Sequence, residues 1–185
     1  MSFFKVKLLY PDAKIPTKAH AQDSGWDVYA HSFKEVWAGN AMETCNTPDP
    51  DTGMIPGFQD KPSTLTLNPM ERAVIGTGFA GYADTYGAPI SIQGTDLIID
   101  FKMVPRSGNR RKEGLEVHFG TVDFPYRGEF CAIVTNLGNQ ARTIRLGDRI
   151  AQVTPSLVPM LDLKLVEELD DTDRGASGFG DSGKR

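Results

Sequence analysis

Four polar clusters hold the side chains that could do chemistry. Asp23-Ser24-Gly25-Trp26-Asp27 is a turn that feeds Val28-Tyr29-Ala30. Asp27 can bind a cation or its water shell, and it suits an Asx turn equally well. Pro105-Arg106-Ser107-Gly108 closes the apolar run from Leu97 to Val104. A strand followed by Ser-Gly and a short helix start can cradle an anion with backbone N–H groups and the Arg106 guanidinium. Ser107 can also serve there as a helix N-cap. Gly120-Thr121-Val122-Asp123-Phe124-Pro125-Tyr126-Arg127-Gly128 puts a carboxylate three residues before a tyrosine. From a strand end Asp123 can act as a general base while Tyr126 offers a face to a sugar; a turn carboxylate and a half-buried ring fit the same residues. The fourth cluster is the run from Arg174 to Arg185, RGASGFGDSGKR. Its glycines permit close approach to phosphate oxygens, Arg174 and Ser182 supply charge and a hydroxyl, and Phe179 suits a stacking lid. The spacing is not Gly-x-x-x-x-Gly-Lys-Ser/Thr, so no Walker site is implied.

Strands must position these groups. Phe4 to Leu8, Leu65 to Leu67, Ala73 to Ile75, Ile90 to Ile92, Leu97 to Val104, Phe130 to Thr135 and Ile150 to Val153 are short apolar or β-branched runs. Turn chemistry separates them at Asn68-Pro69, Gly87-Ala88-Pro89, Leu137-Gly138-Asn139 and Leu146-Gly147-Asp148. With 19 Gly and 12 Pro among 185 residues, little chain is left for long helices. The pattern predicts an all-β sandwich, jelly roll or barrel with one short helix after Ser107. Two regions break the rhythm: 31–64, which carries four prolines, and the acidic then glycine-rich 167–185. The expected organisation is one β domain over 1–166, holding the 31–64 insertion, with 167–185 a flexible C-terminal arm.

Charge and composition exclude several classes. Twenty Lys and Arg against 24 Asp and Glu give −4, which excludes the electrostatic footprint of a duplex-DNA binder but not a local basic pocket. Two cysteines, Cys45 and Cys131, make no disulfide framework. The first residues, MSFFKVKLLYPDAK, show no leader pattern, and no run nears the roughly 20 apolar residues of a bilayer span. The expectation is a cytoplasmic protein with neither a membrane nor a direct nucleic-acid partner.

In their order, the clusters resemble the trimeric deoxyuridine triphosphatase (dUTPase) family. Ala13 to Val28, Arg106-Ser107-Gly108 after Pro105, Gly120 to Gly128, Gly147 to Gln152 and Arg174 to Gly183 match its five motifs. The resemblance implies a jelly-roll-like β fold in a homotrimer, with active sites between subunits and C-terminal tails exchanged over neighbouring pockets. It implies hydrolysis of dUTP to dUMP and diphosphate with Mg²⁺ on the triphosphate, which limits uracil in DNA and supplies dUMP for dTMP synthesis. Asp123 is then the base for the attacking water, and Tyr126 excludes a ribose 2′-hydroxyl by packing under the sugar. Backbone groups of a Val117 to Val122 hairpin, including Gly120 and Thr121, read uracil. Arg106, Ser107, Gly108 and Gln152 bind the triphosphate. Asp27 holds a Mg²⁺-bound water. In the tail, Arg174 and Ser182 take the γ-phosphate, while Phe179, beside Gly180, stacks on the base.

The sequence departs from the family pattern in places. Asn109-Arg110-Arg111 add charge beside the phosphates, His118 replaces a small residue, and Asp181 stands where a hydroxyl or His is usual. The 31–64 insertion and an 81–93 extension read as surface elaborations away from the site. Two alternatives remain. One is a dCTP deaminase relative, whose basic Glu would fall at Ile133; Glu129 comes too early. The other is a regulatory protein-binding module that docks a partner through Phe33, Trp37, Met42, Met54 and Phe58 of 31–64.

Overall fold

Period-two alternation becomes antiparallel sheet at every strand pairing. The computed structural model describes residues 3–39, 41–45, 63–85 and 90–176. Its strands are β1 (Phe3–Leu8), β2 (Trp26–Tyr29), β3 (Ser32–Ala38), β4 (Ala41–Cys45), β5 (Thr64–Leu67), β6 (Arg72–Gly76), β7 (Phe79–Asp84), β8 (Ile90–Ile92) and β9 (Thr95–Pro105). After helix α1 (Ser107–Glu113) come β10 (Leu115–Val117), β11 (Gly120–Val122), β12 (Cys131–Asn136), β13 (Arg142–Arg145) and β14 (Arg149–Pro159). One sheet has the order β10-β12-β6-β3-β4 and a second the order β11-β9-β14-β2, with β8 also on β9. The pairs β1-β7 and β13-β5 complete an all-β, jelly-roll-type fold with a single short helix among the described residues.

The core lies between the sheets. Phe101 and Met103 of β9 are buried, as are Ala73 and Ile75 of β6 and Ala132 and Val134 of β12. Phe4 stacks at 4.3 Å on Phe101, and Phe79 at 5.0 Å on Phe130. Such aromatic pairs add about 1 kcal/mol each to what their burial contributes.

Three expectations are revised by the structure. The N-cap position of α1 belongs to Arg106, whose φ of −82° and ψ of 130° are extended, and no side chain caps the helix; Ser107 is its first residue. Val117 to Val122 is not a hairpin: β10 pairs with β12 and β11 with β9, so His118 and Phe119 carry the chain from one sheet to the other. The stretch 31–64 is not one surface excursion, because β3 is an inner strand between β6 and β4. Phe33 is therefore core, and half-buried Trp37 lies under the Arg72 guanidinium. Met54 and Phe58 lie outside the described residues, as do the side chain of Met42 and residues 86–89 of the extension.

Asn136 closes the end of β12. Its buried amide donates to the carbonyls of Leu67 (2.9 Å) and Gln140 (2.8 Å), and its Oδ1 accepts the Gly138 N–H at 2.9 Å. Asn136→Ala removes three hydrogen bonds to backbone and leaves the buried Leu67 carbonyl without this donor. It is expected to cost about 3 kcal/mol of stability, read as a lower urea midpoint at unchanged slope.

Candidate active site

Strand β11 delivers Asp123. Thr121 registers with Lys102 and Val122 with Phe101, so Asp123 leaves the sheet edge exposed to solvent. A turn follows in which the Tyr126 N–H donates to the Asp123 carbonyl at 2.9 Å. The Arg127 guanidinium donates to the carbonyls of Phe124 and Tyr126 and lies 4.3 Å from the Tyr82 ring centroid, which ties the turn to β7. The Tyr126 hydroxyl donates to the Glu129 carbonyl at 3.1 Å. Its ring folds back over Gly128, where a Cβ would clash with the phenol oxygen, so a larger residue there would push the ring aside. Thr121, Val122, Asp123, Tyr126, Glu129 and Cys131 enclose a cavity of about 220 Å³ beside the ring. Burial raises the Tyr126 hydroxyl above its ordinary range and pushes the Cys131 thiol up to about 11.

At the segment that crosses between sheets, Val117 is buried in register with Val134, and the His118 N–H donates to the Ile133 carbonyl at 2.8 Å. The His118 ring is tied through Nε2 to the Thr135 hydroxyl at 2.7 Å, which turns it along β12. Of this segment, Thr121 and Val122 line the cavity.

A second cluster gathers around Asp27, whose side chain is only 4% exposed. Arg106 Nε donates to Oδ1 at 2.8 Å, Arg149 Nη1 to Oδ2 at 3.1 Å and Gln152 Nε2 to Oδ1 at 3.2 Å. Asn109 accepts from Arg106 at 3.2 Å and donates to the Arg149 carbonyl at 3.0 Å. Two guanidiniums around one carboxylate leave a surplus positive charge, and each keeps N–H donors beyond those Asp27 uses. Arg106, Asn109, Arg145 and Arg149 line a polar cavity of about 360 Å³ on this face. Ser107 and Gly108 stand exposed at its edge. Arg110 turns away to Glu116 at 2.8 Å, so of the three residues after Gly108 only Asn109 joins the cluster.

Asp27 Oδ1 and Oδ2 both accept from protein donors, so any further donor to this carboxylate would share it with Arg106, Arg149 and Gln152. Among the described residues no three His, Cys, Asp or Glu side chains gather as a metal site.

The two clusters are far apart within one chain. Val122 opposes Phe101, and Arg106 lies five residues further along, about 16 Å at strand rise. Asp123 continues in the other direction. Arg174 is exposed in a turn well after β14, closed by the Gly175 N–H donating to the Thr172 carbonyl at 2.9 Å, and Phe179, Gly180, Asp181 and Ser182 lie outside the described residues.

The family model for dUTPase matches residues 62–183, which takes in the Asp123–Tyr126 cavity and, of the second cluster, Arg106, Asn109, Arg149 and Gln152 but not Asp27. The chain belongs to the dUTPase family. A deoxyuridine 5′-triphosphate nucleotidohydrolase of Rhodococcus erythropolis is 34% identical over 181 residues, covering 96% of this chain and 84% of that protein. The one from Bdellovibrio bacteriovorus is 42% identical over 122 residues, 65% of this chain and 74% of that one. Among solved structures, a point mutant of the Staphylococcus bacteriophage 80alpha dUTPase with dUpNHpp superposes with a TM-score of 0.68 at 23% identity over 98% of both chains. A dUTPase from phage phi11 of S. aureus, whose structure concerns the coordination of a structural Mg(II) ion, gives a TM-score of 0.62 at 20% identity over 91% of this chain and 99% of that one.

Arg149 escaped the sequence reading of this dUTPase-family chain for a structural reason. Alternation puts Arg149 and Gln152 on opposite faces of β14, but the register against β2 slips between Arg149 and Ala151. The bulge turns Arg149 to the side of Asp27. Cys131 offers a check on the cavity beside Tyr126. In a Cys45→Ser background at pH 8, a thiol raised from 9 to about 11 should react with DTNB about a hundredfold more slowly than an ordinary cysteine. The rate should climb towards pH 11; fast labelling at pH 8 would contradict the burial.

Proposed function

We propose that this chain is a dUTP nucleotidohydrolase, which converts dUTP and water to dUMP and diphosphate. The observation that carries the reading is the family match over 62–183, which spans the Asp123–Tyr126 cavity and the Arg106–Gln152 cluster. Asp123 orients the water and takes its proton as the new bond forms to the α-phosphorus. The bond to the bridging oxygen breaks, and diphosphate leaves. Arg106 and Arg149 are placed to neutralise the charge that develops on it, with Ser107, Gly108 and Gln152 as further donors. The Tyr126 ring is the wall that refuses a ribose, while backbone at Val117, Gly120, Thr121 and Val122 reads the base. Arg174, Phe179, Gly180 and Ser182 are assigned to the arm that covers the nucleotide.

A water at the α-phosphorus must touch Asp123 while the phosphates touch Arg106, and about 16 Å of strand separates Phe101, which Val122 opposes, from Arg106. We therefore take the working site to lie between copies in a homotrimer, with 167–185 as the exchanged arm of a single domain. Leu169 within the arm, 85% exposed, and Leu163 and Leu165 just before it suit a segment that packs on a neighbour. Mg²⁺ fits as part of the substrate, chelated by the triphosphate, since Asp27 is engaged with Arg106 and Arg149. No described helix is long and apolar enough to cross a membrane; cytoplasm is the proposed location. Deamination is the poorer reading: position 133 is an exposed isoleucine, and the Glu129 carboxylate is already paired with Lys34.

The test is diphosphate release from dUTP, dCTP, dTTP and UTP. Asp123→Asn should lose about a thousandfold in turnover on dUTP with the fold intact, and Arg106→Ala should also be nearly inactive. Mixing and reassembling the two inactive variants should restore partial activity, because some sites then draw a native residue from each. Additive inactivity in the mixture would sink the shared site, and a near-native Asp123→Asn rate would sink the base assignment.

A further inference from the structure

Strand β3 carries a lysine to Glu129, a residue that lines the nucleoside cavity. Register between β3 and β6 slips between Phe33 and Glu35, which makes Lys34 the extra residue of a β-bulge. A bulge re-aims its side chain relative to simple alternation. The Lys34 ammonium lies 2.7 Å from Glu129 Oε2, and Oε1 accepts the Gly78 N–H at 2.7 Å. The pair is sheltered: the glutamate side chain is 10% exposed and the lysine 23%. Glu129 and its hydrogen bonding hold Lys34 protonated against the opposing effect of its burial.

Gly76 makes room for this pair. A Cβ there would lie 2.5 Å from Glu129 Oε1 and 2.7 Å from Lys34 Cε. The far side of the same residue governs Tyr126, whose hydroxyl uses the Glu129 carbonyl as its acceptor. Side chain and carbonyl belong to one residue, so anchoring the carboxylate sets where the phenol can bond. Removing Lys34 leaves a sheltered carboxylate without its cation, which must turn towards water and take the Glu129 backbone with it.

The geometry points to Lys34 and Glu129 as positioning residues that hold the Tyr126 ring in place and so set discrimination between deoxyribonucleotide and ribonucleotide triphosphates. This rests on the reading of Tyr126 as the sugar-excluding wall. It also gives β3, the strand leading into the stretch that is longest against the family pattern, a direct mechanical link to the nucleotide.

Steady-state kinetics on dUTP and UTP test it with full-length wild type, Lys34→Met, Lys34→Arg and Glu129→Gln. Lys34→Met is expected to raise KM for dUTP about fivefold with kcat within about twofold, and to lower the dUTP-to-UTP ratio of kcat/KM about tenfold. Lys34→Arg, which keeps the charge, should recover most of both. Should Lys34→Met fail to fold, Glu129→Gln keeps an acceptor for Gly78 and loses the ion pair, and the same fall in the ratio is expected. A folded variant with a lower melting temperature but wild-type KM and ratio overturns the positioning role. A wild type that does not hydrolyse dUTP overturns the activity itself and the positioning role with it, an outcome the wild-type arm reports separately.

Discussion

The β9–β14 ladder is the member on which the rest of this molecule depends. Nine residues of β14, from Ala151 to Pro159, register in sequence against Pro105 back to Leu97. Antiparallel hydrogen bonding fixes the spacing along such a ladder at about 3.3 Å per residue, and no side-chain choice can shorten it. Strand β11 attaches to one edge near Phe101, β2 attaches beyond β14, and Arg106 follows the end of β9. The distance from Asp123 to Arg106 is thus set by backbone geometry. This frame places the Asp123 carboxylate and the Arg106–Arg149 guanidiniums on different parts of the chain.

At the Arg106 end, electrostatics takes over from backbone. Asp27 is brought beneath Gln152 by strand register, and a carboxylate so deeply buried is tolerated only with hydrogen-bonded cations. Arg106 arrives from the end of β9 and Arg149 from the start of β14, so one carboxylate draws three strands together and orients two guanidiniums.

Two β-bulges do comparable work in different places. One turns Arg149 towards Asp27, and the other turns Lys34 towards Glu129. In both cases a basic residue that alternation assigns to one face appears on the other, next to a sheltered carboxylate. The glycines at 76 and 128 show the complementary device, in which a missing Cβ leaves space for a charged pair or for the Tyr126 ring.

Much of the fold was legible without coordinates. Runs such as Ala73–Ile75, Leu97–Val104 and Phe130–Thr135 bury alternate side chains, and their periodicity marks them as strands wherever their partners lie. The turn and glycine clusters marked Asp27, Arg106, Asp123 and Tyr126 because those residue types sit at strand ends, where side chains are free to meet a ligand. What stayed hidden was relational. His31 to Ala38 read as part of an excursion because its prolines and polar neighbours lie downstream, yet Ser32–Ala38 pairs with β6. Val117 to Val122 read as a hairpin because two short strands flank two residues, yet each strand pairs elsewhere. The sequence by itself determined which segments extend, which residues can do chemistry and which family the chain belongs to, since those depend on local residue type and order. Only the tertiary structure decided that Asp27 binds arginines, that Arg149 and Lys34 face carboxylates, and that Asp123 and Arg106 lie apart, because register and bulges arise from long-range pairing that no local window contains.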